Sequence, residues 1–427
     1  MKTNFDAWEN ALTNLGVSGK DPALSTTFSK DTKMNDAVLS QIYSAGGFAG
    51  KIVDIIPDEM TKKWISIPED TDGLTLDYLT LIKAKQSINE ALKWSRLFGG
   101  ACIVINVDDG QELEFPVNPN LIKTVKNLQV FDKRQMTIKA YNEDNTVNMY
   151  ELNNLSADKE KSQFDIHSSR VMYFDGLKLP EQERLKNNGF GQSVLQRYWT
   201  ELSGLGTVMS ATAFITKEFN QGLLEIEGLT EMLATDEGIT SIKTRMEIMQ
   251  YSKSVINMIL LDANKEKYTE MSKNVSGLPD LIDRFEGALS GVSDIPETRL
   301  FGRSPSGMNA TGQSDADNMR SNVESAQEDK LLPELTKLIT YITLSKDAKF
   351  KGPFTIEFNP LYSPSAKETA ETRYIVAQSD NLYIMNDTLQ PQEVAESRFG
   401  GDTYSQETVL TTESREFTNS EKDDDNT

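Results

Sequence analysis

The stretch "LFGRSPSGMNATGQSDADN", residues 300–318, gathers glycine, serine and proline into a loop and then turns at once into a charged, helix-like run. Gly302 and Gly307 stand at the separation of a phosphate-binding loop, but that motif continues with a lysine and a hydroxyl, and here Met308 and Asn309 follow. Asp315 and Asp317 open the succeeding run, where their charge would repel a phosphate. The loop therefore does not read as a phosphate cradle, and Gly302, Pro305, Gly307 and Gly312 let its backbone bend.

Downstream, Ser314 with Asp317 three residues on has the form of a capping box, which predicts a helix starting at 314. Met319, Val323, Ala326, Leu331, Leu335, Leu338 and Ile342 keep one face apolar to about residue 344, and Pro333 should kink that helix by removing one internal hydrogen bond. The strand "PFTIEFNPL" and the short helices "SAKETAETRYIVAQ" and "QPQEVAESRF" follow, and the acid-rich residues from about 401 read as a disordered tail.

Upstream, apolar positions from Leu195 to Phe214 predict one rod over 193–219, roughly seven turns at 3.6 residues each, with Ser193 as N-cap. Gly204 and Gly206 inside the rod imply close approach by another element. An insertion of about fifty residues follows, reading as "GLLEIEG", a helix, and strands "KSVINMILLD" and "KYTEMSK". Helical spacing then resumes in "GLPDLIDRFEGALSG", with Pro279 near its first turn.

The first part of the chain opens with a polar arm to about residue 34. The helical runs "AVLSQIYSAGGFAGKIVDIIPDEMTKKW" and "SINEALKWSRLFGG" come next, then the strand "ACIVINV". "LQVFDKRQMTIKAY", "TVNMYEL" and "FDIHSSRVMYFDG" continue as an antiparallel meander of an α+β domain, and "LPEQERLKNNGFGQS" closes it as a linker.

Composition narrows the chemistry. The 427 residues carry 44 Lys plus Arg against 65 Asp plus Glu, a formal charge of −21, which disfavours gripping a phosphate backbone. Cys102, the sole cysteine, sits in an apolar run and reads as core, while one His and one Cys cannot make a structural zinc centre, and "DTDG" is too short for a calcium loop. His167 is the sole histidine, with no nucleophile elbow nearby, and reads as structural. "GFGQS" lacks the last glycine of a dinucleotide fingerprint and reads as a helix start. No stretch approaches about 18 uninterrupted apolar residues and the start carries acids, so the chain reads as soluble and unexported. No catalytic residue, cofactor or metal is expected.

The segments "YSAGGFAGKIVDIIPDEMTKKW", "RLFGGACIVI", "IHSSRVMYFDG", "GFGQSVLQ", "IPETRLFGRSPSGMNATGQSD", "QEDKLLPELTKL" and "FNPLYSPSAKETAE", in that order, resemble the tailed-bacteriophage portal proteins, in particular a group with an "LFG-x-SP-x-GMNATG" signature. The resemblance spans about 35 to 400 and implies a multi-lobed α+β subunit of a ring, usually of twelve copies, at one capsid vertex. It implies an N-terminal arm (1–34), a wing (35–191), a first stem helix (192–219), an α/β clip (220–275), a second stem helix (276–300), a tunnel loop (301–313), a kinked tunnel helix (314–345), a return strand to the wing (346–362), crown helices (363–400) and a tail (401–427). Gly302, Arg303, Ser304, Pro305, Ser306, Gly307, Met308 and Asn309 would face double-stranded DNA, with Arg303 able to touch a phosphate, and Pro333 would mark the tunnel-helix kink. The implied partners are further copies of the chain, DNA bound without sequence preference, the large terminase, a head–tail adaptor, and capsid and scaffolding proteins, with no membrane. The implied location is the virion's portal vertex, after assembly in the host cytoplasm. Another connector or minor capsid protein is the nearest alternative, and a nucleotide-binding or hydrolytic enzyme the more distant one.

Overall fold

A computed structural model describes residues 34–144, 146–154, 162–217, 220–227, 229–255, 266–272, 277–303, 312–364 and 366–399. The expected arm up to residue 33 and tail beyond 400 lie outside these residues, as does the expected strand beyond Val255. Two units divide between Asn359 and Pro360.

The first helical run breaks where glycines allow it. Helix α1 (Asp36–Ser44) is capped by the Asn35 side chain, and α2 (Gly47–Lys62) starts after Gly46 at φ 77°. Pro57 lies inside α2 and has no N–H for the carbonyl of Val53. Arg96 of α4 (Ala84–Phe98) supplies donors instead, its Nε to Val53 O at 3.1 Å and its Nη2 to Ile52 O at 2.7 Å. A side chain from one helix thus repairs the proline gap in another, which locks α2 against α4. Helix α3 (Leu74–Leu81) precedes α4, with the buried Asp70 carboxylate accepting from the first amides of its turn, Leu74 N and Thr75 N.

The expected single meander is two sheets. β1 (Ile65–Ser66) is short and comes before them. β2 (Gly100–Asp108) lies between β3 (Thr124–Asp132) and β7 (Val171–Asp175), while β4 (Met136–Tyr141), β5 (Val147–Asn154) and β6 (Ser162–His167) form a second antiparallel sheet. The long strand-like runs are cut by two 3-10 turns, Lys133–Gln135 and Ser168–Arg170. Asp132 caps the first, with its carboxylate and the Gln135 side chain forming a reciprocal capping box. His167 caps the second, Nδ1 accepting from Ser169 N at 3.1 Å. That gives the sole histidine a structural task, and burial together with the Arg170 charge holds its pKa below the usual value. Each turn hands the chain from one sheet to the other. Arg170 is fully buried, donating to Asp109 Oδ2 at 2.7 Å and to Phe115 O at 2.8 Å. Cys102 is buried on β2 as expected, and burial pushes its thiol well above the ordinary range.

At the foot of this sheet three glycines meet. Gly99 ends α4 at φ 92°, and a Cβ there would lie 2.3 Å from Gly191 O. A Cβ on Gly176 would lie 2.6 Å from Gly99 Cα, and one on Gly191 would lie 2.8 Å from Leu177 O. Asp175 Oδ1 accepts from Gly176 N and Gly191 N, each at 3.0 Å, and Leu177 exchanges backbone hydrogen bonds with Gln192. Of the "GFGQS" glycines, Gly191 therefore serves backbone contact, while Gly189, at φ 81°, faces the Ile138 and Tyr141 side chains. α5 (Glu181–Lys186) lies between these segments.

The predicted rod is divided. Ser193 does cap, its Oγ accepting from Leu195 N at 3.2 Å, but the helix it starts is only α6 (Val194–Arg197). Tyr198, at φ −98° and ψ 15°, leaves the helical region before α7 (Trp199–Lys217) continues for 19 residues, about 28 Å at 1.5 Å each. A Cβ on Gly204 would stand 3.0 Å from the Phe285 ring of α10 (Leu278–Ser293), so the expected close approach occurs there, whereas Gly206 faces open space. Pro279 sits in the first turn of α10 as expected. Between α7 and α10, β8 (Asn220–Ile226) pairs antiparallel with β9 (Glu266–Ser272), with α8 (Leu229–Met232) and α9 (Asp236–Val255) between them. Residues 253–255, expected to begin a strand, are the last turn of α9.

Helix α11 (Glu297–Leu300) follows α10, and α12 (Gln313–Ala326) and α13 (Leu332–Leu344) follow the described residues up to Arg303. The expected return strand narrows to β10 (Glu357–Phe358), paired with β1. In the second unit α14 (Ala366–Met385) is longer than expected and α15 (Pro391–Phe399) returns, with Arg398 clamping Asp380 through two hydrogen bonds of 3.0 Å. Helices and small sheets together give the expected α+β class.

Changing Gly99→Ala should cost about 3 kcal/mol or more, from left-handed strain plus collision with Gly191. Gly46→Ala, with positive φ but open space, should cost about 1–2 kcal/mol. Urea unfolding of both variants checks the contrast.

Candidate functional site

The region singled out by sequence begins on well-anchored structure. Helices α1, α2, α4, α6, α7, α10 and α11 share one apolar cluster, in which Ile52, Leu195, Leu205, Leu289 and Leu300 are fully buried. The residues before the loop are fastened to it. Phe301 packs edge-on against Phe48 at 5.0 Å between ring centroids, Lys51 Nζ donates to Leu300 O at 2.7 Å, and Arg299 pairs with Glu59.

Gly302 then turns the chain at φ 76° in open space. Arg303 does not point away from the protein: Nη1 lies 2.6 Å from Asp283 Oδ1 and Nη2 lies 2.5 Å from Glu286 Oε2, with Glu297 Oε2 at 4.0 Å. Burial pushes the Glu286 carboxyl up, and the charges of Asp283 and Glu297 add to this while Arg303 opposes it. The sequence reading missed these three acids. Asp283 and Glu286 are three apart on α10 and so share a face, which is a legible signal, but their partner lies beyond α11. Ser304, Pro305, Ser306, Gly307, Met308 and Asn309 lie outside the described residues.

After the loop the expected capping box is absent. Gly312, at φ 62°, precedes α12 without a side-chain cap, Gln313 begins the helix, and Asp317 instead pairs with Arg320 one turn on. Asp315 stays in the first turn, favoured there by the helix dipole. Between α10–α11 and α12 lies a cleft of about 410 Å³ lined by Asp294, Glu297, Asp315, Asn318 and Asn322 among others.

The break in the long helix falls one turn ahead of Pro333. Gln327–Leu331 form a π turn, in which Leu332 N reaches back five residues to Gln327 O. Pro333, without an N–H, occupies the first turn of α13, where the α-helical pattern restarts and its missing donor matters least. Gln327 is buried, and its Nε2 donates to Met60 O at 2.7 Å, satisfying a carbonyl in the last turn of α2. A glutamine in the stripe Val323–Gln327–Leu331 is the signal that could have exposed this contact. α13 is tied to the sheet by Lys337 Nζ to Val171 O at 2.8 Å and by Tyr341 Oη to Ser169 O at 2.9 Å.

Among the described residues, no group of three or more His, Cys, Asp or Glu side chains could hold a metal ion, and no helix is long and apolar enough to cross a membrane. One open concavity is lined by the carboxylates of Glu112, Glu114, Glu151 and Asp165 beside Lys139.

Comparison with known proteins adds the context. A family described as "Phage portal protein" matches residues 38–382. Two relatives named Anti-CBASS protein Acb1 are similar: one from Caulobacter sp. (strain RHG1), 28% identical over 384 residues covering 86% of this chain and 61% of the relative, and one from Sphingomonas paeninsulae, 24% identical over 401 residues covering 90% and 63%. The chain thus spans about three fifths of their length. Among solved structures, the neck of a native gene transfer agent (GTA) particle computed with C12 symmetry aligns with a TM-score of 0.50 at 11% identity, over 84% of this chain and 90% of that one. That likeness is one of fold.

Gln327→Leu should cost about 1–3 kcal/mol, because Met60 O loses its buried donor. Glu328→Gln on the exposed side of the same turn should stay within about 0.5 kcal/mol, and paired urea titrations check both.

Proposed function

The chain belongs to the phage portal protein family, and we propose that it forms a ring at one capsid vertex through which double-stranded DNA is packaged and ejected. The observation carrying this reading is the family match from residue 38 to 382, which takes in the sheets, the long helices, the insertion and the bent helix alike. The C12 symmetry of the similar neck structure favours a ring of twelve.

In this reading residues 35–191 are the wing, α6–α7 within 192–219 the first stem helix, 220–275 the clip and α10–α11 within 276–300 the second stem helix. Residues 301–313 are the tunnel loop, α12, the π turn and α13 within 314–345 the tunnel helix, 346–362 the return to the wing, and 363–400 the crown. Gly302 through Asn309 then line the channel. The clip docks the large terminase during packaging and a head–tail adaptor afterwards, and the outer surface meets capsid and scaffolding proteins. The ring assembles in the host cytoplasm and ends in the virion. Closing a ring requires two different faces of each subunit to meet, so the contacts are heterologous.

The charge balance supports a passive conduit. A chain at −21 offers sliding DNA weak or repulsive contacts, and each strong phosphate contact would be a well to climb out of. The work of translocation is assigned to a separate ATP-hydrolysing motor, and no enzymatic step is proposed for this chain.

Electron microscopy of the purified chain should show annuli with a central hole and about twelve subunits. A chain that stays monomeric or dimeric at high concentration would remove the proposal.

A further inference from the structure

We infer that Arg303 is a clasp whose ligand is an acidic socket of its own subunit, Asp283, Glu286 and Glu297, and that it fixes the turn after α11 onto α10 instead of serving DNA. Three observations converge on this. The guanidinium reaches two helices at once, at 2.6 Å and 2.5 Å on α10 and at 4.0 Å on α11, and the fork geometry of arginine suits such a shared hold. Glu286 is only 6% exposed, so its charge needs a partner inside the protein. Three carboxylates around one cation leave the site at a net charge of about −2, which opposes the approach of a phosphate instead of inviting it.

The placement gives the clasp a mechanical meaning. Phe301, Leu300 and Arg299 are already held by Phe48, Lys51 and Glu59 of α2, whereas a Cβ on Gly302, at φ 76°, would meet only open space. Arg303 is the last described residue before Gly312 and α12, and Gly302 stands between the two anchors. The first anchor combines a ring contact, a lysine donor and an ion pair to α2, whereas the second is carried by ion pairs alone.

The pH dependence follows from what faces Glu286: Arg303 from beyond α11, Asp283 on its own helix and Glu297 on α11. Its folded-state pKa lies above the unfolded value, so the folded protein holds a proton that the unfolded chain has released, and stability falls as pH rises through that window. Removing Arg303 takes away the one opposing influence and widens the window upward. Arg303→Ala should then destabilise the protein more at pH 7.5 than at pH 5, and Glu286→Gln in the same chain should recover most of the loss at pH 7.5, since no buried charge is left unpaired.

The test uses the full chain in three forms, Arg303→Ala, Glu286→Gln and the double variant, with urea midpoints at pH 5 and 7.5. Hydrogen exchange is followed at the amides of Leu300 and Phe301, which are bonded to Pro296 O and Glu297 O. Exchange corrected for intrinsic rate should be about tenfold faster in Arg303→Ala at pH 7.5, a figure reduced for the partial exposure of the pair, and near wild type in the double variant. Equal losses at both pH values with no recovery by Glu286→Gln would overturn the clasp. So would weaker binding of a short double-stranded DNA at low salt by Arg303→Ala with its exchange unchanged, for Arg303 would then serve DNA. Because the clasp lies within one subunit, it can fail while rings still form, and it can hold in a chain that forms none.

Discussion

The backbone contact of Gly99, Gly176 and Gly191 is the constraint from which the rest of the first unit is laid out. Three chain segments meet there: the end of α4, the end of β7 and the approach to α6. None can carry a side chain at the meeting point, since a Cβ would fall within 2.3–2.8 Å of backbone atoms. Asp175 holds the junction from one side by accepting from two of its amides. The contact fixes where the sheet ends and where the long helices begin, so the direction of α6 and α7 is inherited from the sheet. Packing further out then follows, with α7 against α10 through Gly204 and Phe285.

A second pattern runs through the helices: polar side chains repair backbone groups that helix breaks leave open. Arg96 supplies the donor that Pro57 lacks, and Gln327 satisfies a carbonyl at the end of α2. Lys51 does the same for Leu300. All three contacts involve α2, so this helix connects the glycine junction, the π turn and the residues before the loop. An unpaired buried carbonyl costs more than a made hydrogen bond returns, which explains why each break is met by a specific long side chain.

Much of this was legible from residue patterns, and the failures have physical causes. Apolar periodicity found α2, α4, α7, α10 and α13, because a 3.6-residue stripe reports a buried face whatever lies opposite it. Ser193 capped as its chemistry requires. The two sheets were run together because Asp132 and His167 each cap a single 3-10 turn inside an otherwise strand-like run, and strand periodicity does not register a three-residue interruption. The Ser314 capping box did not form because Gly312, in the left-handed region, lets the helix begin one residue earlier, which leaves Asp317 free to pair with Arg320. Pro333 was recognised as a disturbance but misplaced within it, since the chain inserts a π turn ahead of the proline instead of leaving a gap behind it. The partners of Arg303 were invisible for a simpler reason: the acids lie 6 to 20 residues away on other helices, and local pattern carries no information about which helices meet.

These partners bear on what a low-friction channel would require at the base of the proposed tunnel loop. A loop that bends must be anchored at its base, and an anchor made of an exposed arginine would be a phosphate trap repeated once per subunit. Surrounding the partly exposed arginine with excess acid eases that conflict: the cation would be offset toward DNA by the carboxylates that hold it. Asp294 and Asp315 add further acids in the adjacent cleft between α10–α11 and α12. Overall charge alone would not achieve this, because a chain at −21 could still present one bare arginine at its narrowest point. Local pairing would decide what a polyanion meets near this turn, and the acids around Arg303 would make it a fastening instead of a binding group.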